Sequence, residues 1–161
     1  MIKKLIFNLC RTTLLLLALT HVAFAQTTEE VTALVKETRS AIENNAADTF
    51  QRILQAESPF KSKDNPSLYV FILDTELNVV AHPIQPQRVG NNMKGKPDIK
   101  GKLFRDEMLA IALKDGKGWV DYYYLNPKTR HEMHKQSYFE LANGSDGKQY
   151  IVGSGRYHDE K

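Results

Sequence analysis

The sequence predicts an α+β fold: a long N-terminal helix packed on a five-stranded antiparallel sheet. Three observations carry this. Residues 27–56 hold an apolar stripe at helical spacing. From Leu68 onward the spacing changes to continuous or alternating runs of β-formers. Turn signals cut those runs into short strands, with one further helical stretch in their midst.

The first 25 residues stand outside this fold. Lys3, Lys4 and Arg11 precede or flank the apolar run Leu14-Leu15-Leu16-Leu17-Ala18-Leu19, which is short for a membrane span. Ala23-Phe24-Ala25 then supplies a small-residue cleavage site before Gln26. The reading is a cleaved export leader over residues 1–25 and a single periplasmic domain over 26–161; the alternative is a retained membrane anchor. The chain has 22 basic and 19 acidic side chains, and three of the basic ones leave with the leader, so 19 of each remain. A net charge of zero gives no argument for nucleic acid. Cys10, the one cysteine, also leaves. Disulfides, thiolate metal sites and cysteine catalysis are thereby excluded from the mature domain.

Thr27 and Glu30 form a capping box at the start of the long helix, with Glu29 adding negative charge to its first turn. Val31, Leu34, Val35, Ile42, Ala46, Phe50, Ile53 and Leu54 make its stripe, interrupted by Thr38. Asn44-Asn45 is a poor helical pair and a candidate kink, and Ser58-Pro59 closes the element. At 1.5 Å per residue an unbroken helix over 27–56 is ~45 Å long, so one end is expected to overhang a small sheet or pack on a partner.

Leu68-Tyr69-Val70-Phe71-Ile72-Leu73 reads as a strand buried on both faces. Asp74 to Asn78 supplies a turn, and Val79-Val80-Ala81-His82 the second hairpin strand, stopped by Pro83. The turn superficially echoes a calcium loop but lacks its glycine and closing glutamate. Residues 83–101 form a Gly/Pro-rich loop, long for a compact domain. Residues 102–114 read as a helix with Leu103, Phe104, Met108, Ile111 and Ala112 as its stripe and Gly116 as its stop. Three strands complete the sheet, over residues 119–125, 132–141 and 148–157. Gly153 and Gly155 in the last suggest a bulge or a close backbone approach.

The functional question centres on Gly118-Trp119-Val120-Asp121-Tyr122-Tyr123-Tyr124-Leu125-Asn126-Pro127 and Lys135. Aromatic walls around one fixed cation suit a pocket for a small organic anion; they equally suit a core with one snorkelling lysine. Strand alternation puts Val120, Tyr122 and Tyr124 on one face, and Met133, Lys135, Ser137, Phe139 and Leu141 on one face of the returning strand. A pairing sum of 255 or 257 brings Tyr122 and Lys135 onto the same side. A lysine there needs a partner. Asp121, Glu140, a helix carboxylate and a ligand carboxylate are all open to it. His82 stands at the mouth of the long loop and Arg88 within it, where each either meets an anion or faces solvent. His131 and His134, three apart on a strand, point to opposite faces and make a zinc site improbable. No phosphate loop, dinucleotide fingerprint, nucleophile elbow or cofactor motif is present.

The strand Tyr69-Val70-Phe71-Ile72-Leu73-Asp74, Val80-Ala81-His82-Pro83, Gly90-Asn91-Asn92, Gly118-Trp119-Val120-Asp121-Tyr122 with Asn126-Pro127, Lys135, and Val152-Gly153-Ser154-Gly155-Arg156-Tyr157 follow one another in a familiar order. In them the chain resembles the single Cache domains, extracytoplasmic sensor modules of bacterial chemoreceptors and histidine kinases. The resemblance covers residues 27–157. It implies a PAS-like (Cache) sheet beneath the long helix, and a site for small organic molecules, often carboxylates, between the sheet and its covering loop and helix. It implies His82, Trp119, Tyr122, Tyr124 and Lys135 as ligand-binding residues, with Tyr69 and Arg88 behind them. Parity sends Trp119 to the face opposite Tyr122, so it reaches a ligand only if its strand twists or bulges.

The expected function is an exported, non-enzymatic, cofactor-free sensory domain for a small organic acid. Receptors of this kind carry a second span and a signalling output, whereas here the sequence ends at Lys161. A freestanding binding protein that presents its state to a membrane-bound partner is therefore expected. The alternative is an accessory module that forms a homodimer, or docks on a membrane protein, through helix 27–56.

Overall fold

A computed structural model describes residues 27–158; the leader expected over residues 1–25, with Cys10, lies outside them. In chain order the elements are α1 (Thr28–Leu54), β1 (Val70–Asp74), β2 (Val79–Ala81), a 3-10 turn (Pro86–Arg88), α2 (Phe104–Asp115), β3 (Lys117–Leu125), β4 (Glu132–Asn143) and β5 (Gln149–Tyr157). The strands form one sheet in the order β2-β1-β5-β4-β3, with every neighbouring pair antiparallel. This is the predicted α+β class, a long helix on a five-stranded antiparallel sheet.

The sheet is buried on both faces. Val70 and Ile72 of β1 point toward α1, where Val31, Val35, Ile42 and Ile53 meet Tyr138, Ala142 and Val152. Phe71 and Leu73, one residue out of phase, point toward α2, where Phe104, Met108 and Ala112 meet Val120, Tyr122 and Phe139. A strand with two covered faces has no polar side, which is why β1 reads as an uninterrupted apolar run. Each fully buried aliphatic or aromatic side chain contributes roughly 1.5–3 kcal/mol to this packing.

α1 begins at the expected capping box: the Thr27 hydroxyl accepts from the Glu30 N–H at 3.1 Å and the Glu30 carboxylate accepts from the Thr27 N–H at 2.9 Å. Asn45 breaks the helical backbone inside it, with φ −153° and ψ 93°. The β4–β5 turn fills the break. Ser145 N–H donates to Ile42 C=O at 3.2 Å, and the Ser145 hydroxyl accepts from Ala46 N–H at 2.9 Å. The Asn45 carboxamide then caps the second half, accepting from Asp48 N–H at 3.1 Å. Backbone groups freed by the kink thus find partners, as a buried break requires. The kinked helix lies along the sheet: its buried positions run from Val31 to Ile53, so the expected overhang is not seen among the described residues. Thr38 sits fully buried on the stripe because its hydroxyl donates to Leu34 C=O at 2.7 Å.

α2 departs from its expected stripe. Leu103, at the N-cap, is 45% exposed, and Arg105 takes a buried place beside Phe104, Met108 and Ala112. Gly116 ends the helix in the left-handed conformation with φ 75°.

Candidate functional site

β3, β4 and β5 fix the site by register. Tyr122 stands opposite Lys135 across β3–β4, a pairing sum of 257 and one of the two registers that put them on the same face, and Lys135 stands opposite Tyr157 across β4–β5. No bulge intervenes in either ladder at this point. Cross-strand neighbours share a face. Tyr122, Lys135 and Tyr157 therefore point to the α2 side, and Tyr69 joins them one strand further on.

Lys135 is 1% exposed. Its ammonium donates to the Tyr69 hydroxyl at 3.0 Å. The Tyr69 hydroxyl lies 3.0 Å from that of Tyr157, which donates to Leu125 C=O at 2.9 Å. Because Tyr157 donates onward and Tyr69 accepts from lysine, Tyr69 donates to Tyr157 and the chain runs in one direction. Four rings surround the ammonium, those of Tyr69, Tyr157, Tyr124 and Phe71, at 4.2, 4.8, 5.5 and 5.9 Å from their centres. The carboxylates open to it by sequence are taken elsewhere. Glu140 binds Arg39 at 3.1 Å and Tyr138 at 2.6 Å. Asp121 lies 3.3 Å from His134. Among the described residues no carboxylate forms an ion pair with Lys135. Burial lowers its pKa to about 7. Near neutral pH it is therefore divided between charged and uncharged forms.

His82 ends the first hairpin with its ring 5.3 Å from that of Tyr69. Its Nδ1 accepts from the N–H groups of Ile84 and Gln85 at 3.2 and 3.1 Å. Burial, then the charges of Lys135, Arg88 and Arg105, lower its pKa to about 3. The ring is thus neutral and carries its proton on Nε2, a donor with no hydrogen-bond partner among the described residues.

Lys135, Tyr69, His82, Tyr122, Tyr124 and Arg88 all line one cavity. It measures about 30 Å³, room for roughly two waters. Phe71, Leu73, Val79, Met93 and Phe104 supply its apolar wall, and Arg105 completes it. Three permanent or titrating cations line it and no carboxylate does. Tyr122 serves as wall: its ring stacks on Phe104 at 3.9 Å, its hydroxyl pairs with Ser137 at 2.9 Å, and burial raises its pKa. Tyr124 donates to the Gln85 side chain at 2.9 Å, tying the long loop to β3.

Trp119 does not join this group, which corrects the expectation carried by the resemblance. It packs on the α1 side of the sheet, its ring 5.2 Å from Tyr138 and under the Arg156 guanidinium at 5.9 Å. β3 pairs regularly with β4 from Lys117 to Leu125, so alternation holds and the indole stays on the far face.

Sequence reasoning missed Arg105. A helical arginine beside an apolar stripe reads as a solvent-facing charge, yet Arg105 is 7% exposed. Its guanidinium lies 4.0 Å from the centre of the Phe104 ring and 5.8 Å from that of Tyr124. It makes a long contact of 3.4 Å to Lys96 C=O and a hydrogen bond with the Tyr124 side chain. Burial lowers its pKa, opposed by the neighbouring Tyr124 and Tyr122.

Asp98 straps the loop over the site. Its Oδ1 accepts from Lys100 N–H and Lys102 N–H, each at 2.9 Å, and its Oδ2 accepts from Tyr123 N–H at 2.8 Å. β3 is an edge strand, so Asp98 fills a backbone position that another strand would otherwise take. Burial works against its ionisation, but these three N–H groups and the Lys102 charge hold its pKa below the usual range.

A kinked helix thus lies on one face of the sheet and a roofed, cationic, aromatic cavity on the other. The family model "Single Cache domain 2" matches residues 16–160, and the chain belongs to that family. A solved structure described as the periplasmic sensor domain of a chemotaxis protein is 30% identical, with TM-score 0.60, 81% of this chain covered and 90% of that one. A second, whose description concerns carboxylic acid recognition by a Cache chemosensory domain, is 24% identical, with TM-score 0.65 and coverage of 81% and 92%. A methyl-accepting chemotaxis protein from Vibrio parahaemolyticus RIMD 2210633 is 20% identical, with TM-score 0.66 and coverage of 81% and 88%. The domain is accordingly a sensory, ligand-binding one.

Proposed function

We propose that this domain senses a small organic carboxylate, bound in the cavity with its head group against Lys135. The carrying observation is a buried ammonium whose protein partner is a phenol rather than a carboxylate. An ammonium has three N–H groups, and among the described residues one of them is used in a hydrogen bond. Together with His82 Nε2–H, the two remaining donors match the oxygens of a carboxylate, and ionic hydrogen bonds in a dry pocket are the strong ones. The aromatic and apolar walls take the carbon skeleton. Recognition of a carboxylic acid by a Cache domain of the same fold is consistent with this reading. The leader-like residues 1–25 and the periplasmic origin of a 30% identical relative support a periplasmic location.

The test is a thermal-shift panel of organic acids against the purified protein and its Lys135→Met variant. Some acids raise the melting temperature of the first and none does so for the second. Equal shifts in both proteins remove Lys135 from the mechanism, and no shift with any acid ends the carboxylate reading.

A further inference from the structure

The small cavity adjoins an outer groove of about 330 Å³. Arg88, Met93, Phe104, Arg105 and Tyr124 line both, so these five side chains form the partition between them. Lys96, Pro97, Ile99 and Tyr123 belong to the groove alone, with Asp98 and Glu132 as its carboxylates. The Asp98 oxygens accept from backbone N–H groups, and among the described residues neither Asp98 nor Glu132 forms an ion pair with Arg88 or Arg105.

The charge count around the partition is unbalanced. Lys135 and Arg105 are buried at 1% and 7% exposure, and Arg88 is half-buried beside them. None of the three forms an ion pair among the described residues. One carboxylate against Lys135 leaves Arg105 a buried guanidinium facing the Phe104 and Tyr124 rings, hydrogen-bonded to the Tyr124 side chain and 3.4 Å from Lys96 C=O, with no counter-charge paired to it among the described residues. A desolvated charge without a counter-charge is costly, and a guanidinium fork is shaped for a second carboxylate. Size points the same way. About 30 Å³ admits a carboxylate with a short carbon skeleton and little more. A longer ligand must pass the partition and place its far end between the two arginines at the head of the groove.

We infer that Arg105, with Arg88, forms a second anion subsite at this partition, and that the ligand class is a short dicarboxylate spanning it, one carboxylate on Lys135 and the other on the arginine pair. This rests on the carboxylate reading above and adds the second charge. Arg105 sets specificity by rewarding the far carboxylate; its effect on a monocarboxylate is the smaller one.

The experiment is calorimetric titration of the purified protein with propionate, butyrate, malonate, succinate and glutarate, with inorganic phosphate for comparison, repeated on Arg105→Gln and Arg105→Lys. At least one dicarboxylate binds ten-fold or more tighter than the monocarboxylates. Arg105→Gln collapses that preference at least ten-fold, and Arg105→Lys restores part of it. Monocarboxylates binding as tightly as every dicarboxylate, or phosphate binding tightest, overturns the dicarboxylate class. A preference unchanged in Arg105→Gln overturns the subsite. If Arg105→Gln does not fold, the wild-type ligand series and Arg105→Lys still decide. Lys135-dependent binding of monocarboxylates without any dicarboxylate preference defeats this inference alone. No binding of any acid defeats the reading beneath it.

Discussion

Lys135 and Tyr69 are joined by a hydrogen bond of 3.0 Å, and the same ring lies 4.2 Å from the ammonium. A phenol and its π face thus solvate a buried cation that has no acidic partner among the described residues. Such an arrangement is costly in the unliganded protein and well matched to an incoming anion. Stability has been given up at the position where binding is expected, as functional sites commonly require.

Replacing the cation with an apolar side chain of similar length makes that trade visible. Lys135→Met stabilises the unliganded domain by about 1–3 kcal/mol, since a buried charge is exchanged for a thioether among four rings. Chemical denaturation measures the gain, and the same variant loses its response to organic acids.

pH separates stability from binding. The folded-state pKa of His82 is about 3 against an ordinary 6.5, so between these values the unfolded chain binds the extra proton and stability falls as pH falls. The folded-state pKa of Lys135 is about 7 against 10.5. Over that interval the unfolded chain again binds the extra proton, so the Lys135 contribution makes stability rise with pH. Anion affinity runs the other way, because the ligand needs the charged amine. Titration at pH 8 in two buffers of different ionisation enthalpy is expected to show proton uptake on binding.

The strap at Asp98 is expected to control access. Asp98→Ala removes three backbone hydrogen bonds, including that from Tyr123 N–H at the open edge of β3. The cost is about 1–3 kcal/mol for the loop, with faster ligand release. Hydrogen exchange at Tyr123 reports it directly: protection falls there and is retained at β5, in the middle of the sheet.

Trp119 provides the contrasting case. Trp119→Ala removes packing against Tyr138 and Arg156 on the α1 face, costing about 1–3 kcal/mol for a partly buried indole. Ligand affinity changes less than about three-fold, because Trp119 packs on the α1 side of the sheet and does not line the cavity. Titration of this variant checks that separation.

The face shared by Tyr122, Tyr124 and Lys135 was legible in the sequence, because strand alternation and a regular turn fix parity and register. Parity also placed Trp119 opposite, and it outweighed the family likeness. What parity does not convey is distance. The Tyr69 partner of Lys135 comes from a strand 66 residues away, so the choice between Glu140, Asp121 and a ligand was open until the sheet order was known. Arg105 was hidden for another reason. Helical periodicity marks apolar stripes, and a charged residue within one reads as an interruption rather than a buried group. The kink of α1 was visible in Asn44-Asn45. Its consequence was not, because Ser145, which fills the break, approaches it from the β4–β5 turn.

The most direct test is a crystal structure of the domain with a bound organic acid chosen from the thermal-shift panel. One carboxylate is expected within about 3 Å of both Lys135 Nζ and His82 Nε2, inside the cavity beneath the residue 83–103 loop. An acid bound elsewhere on the protein, with the Lys135–Tyr69 pair undisturbed and the cavity unchanged, contradicts it.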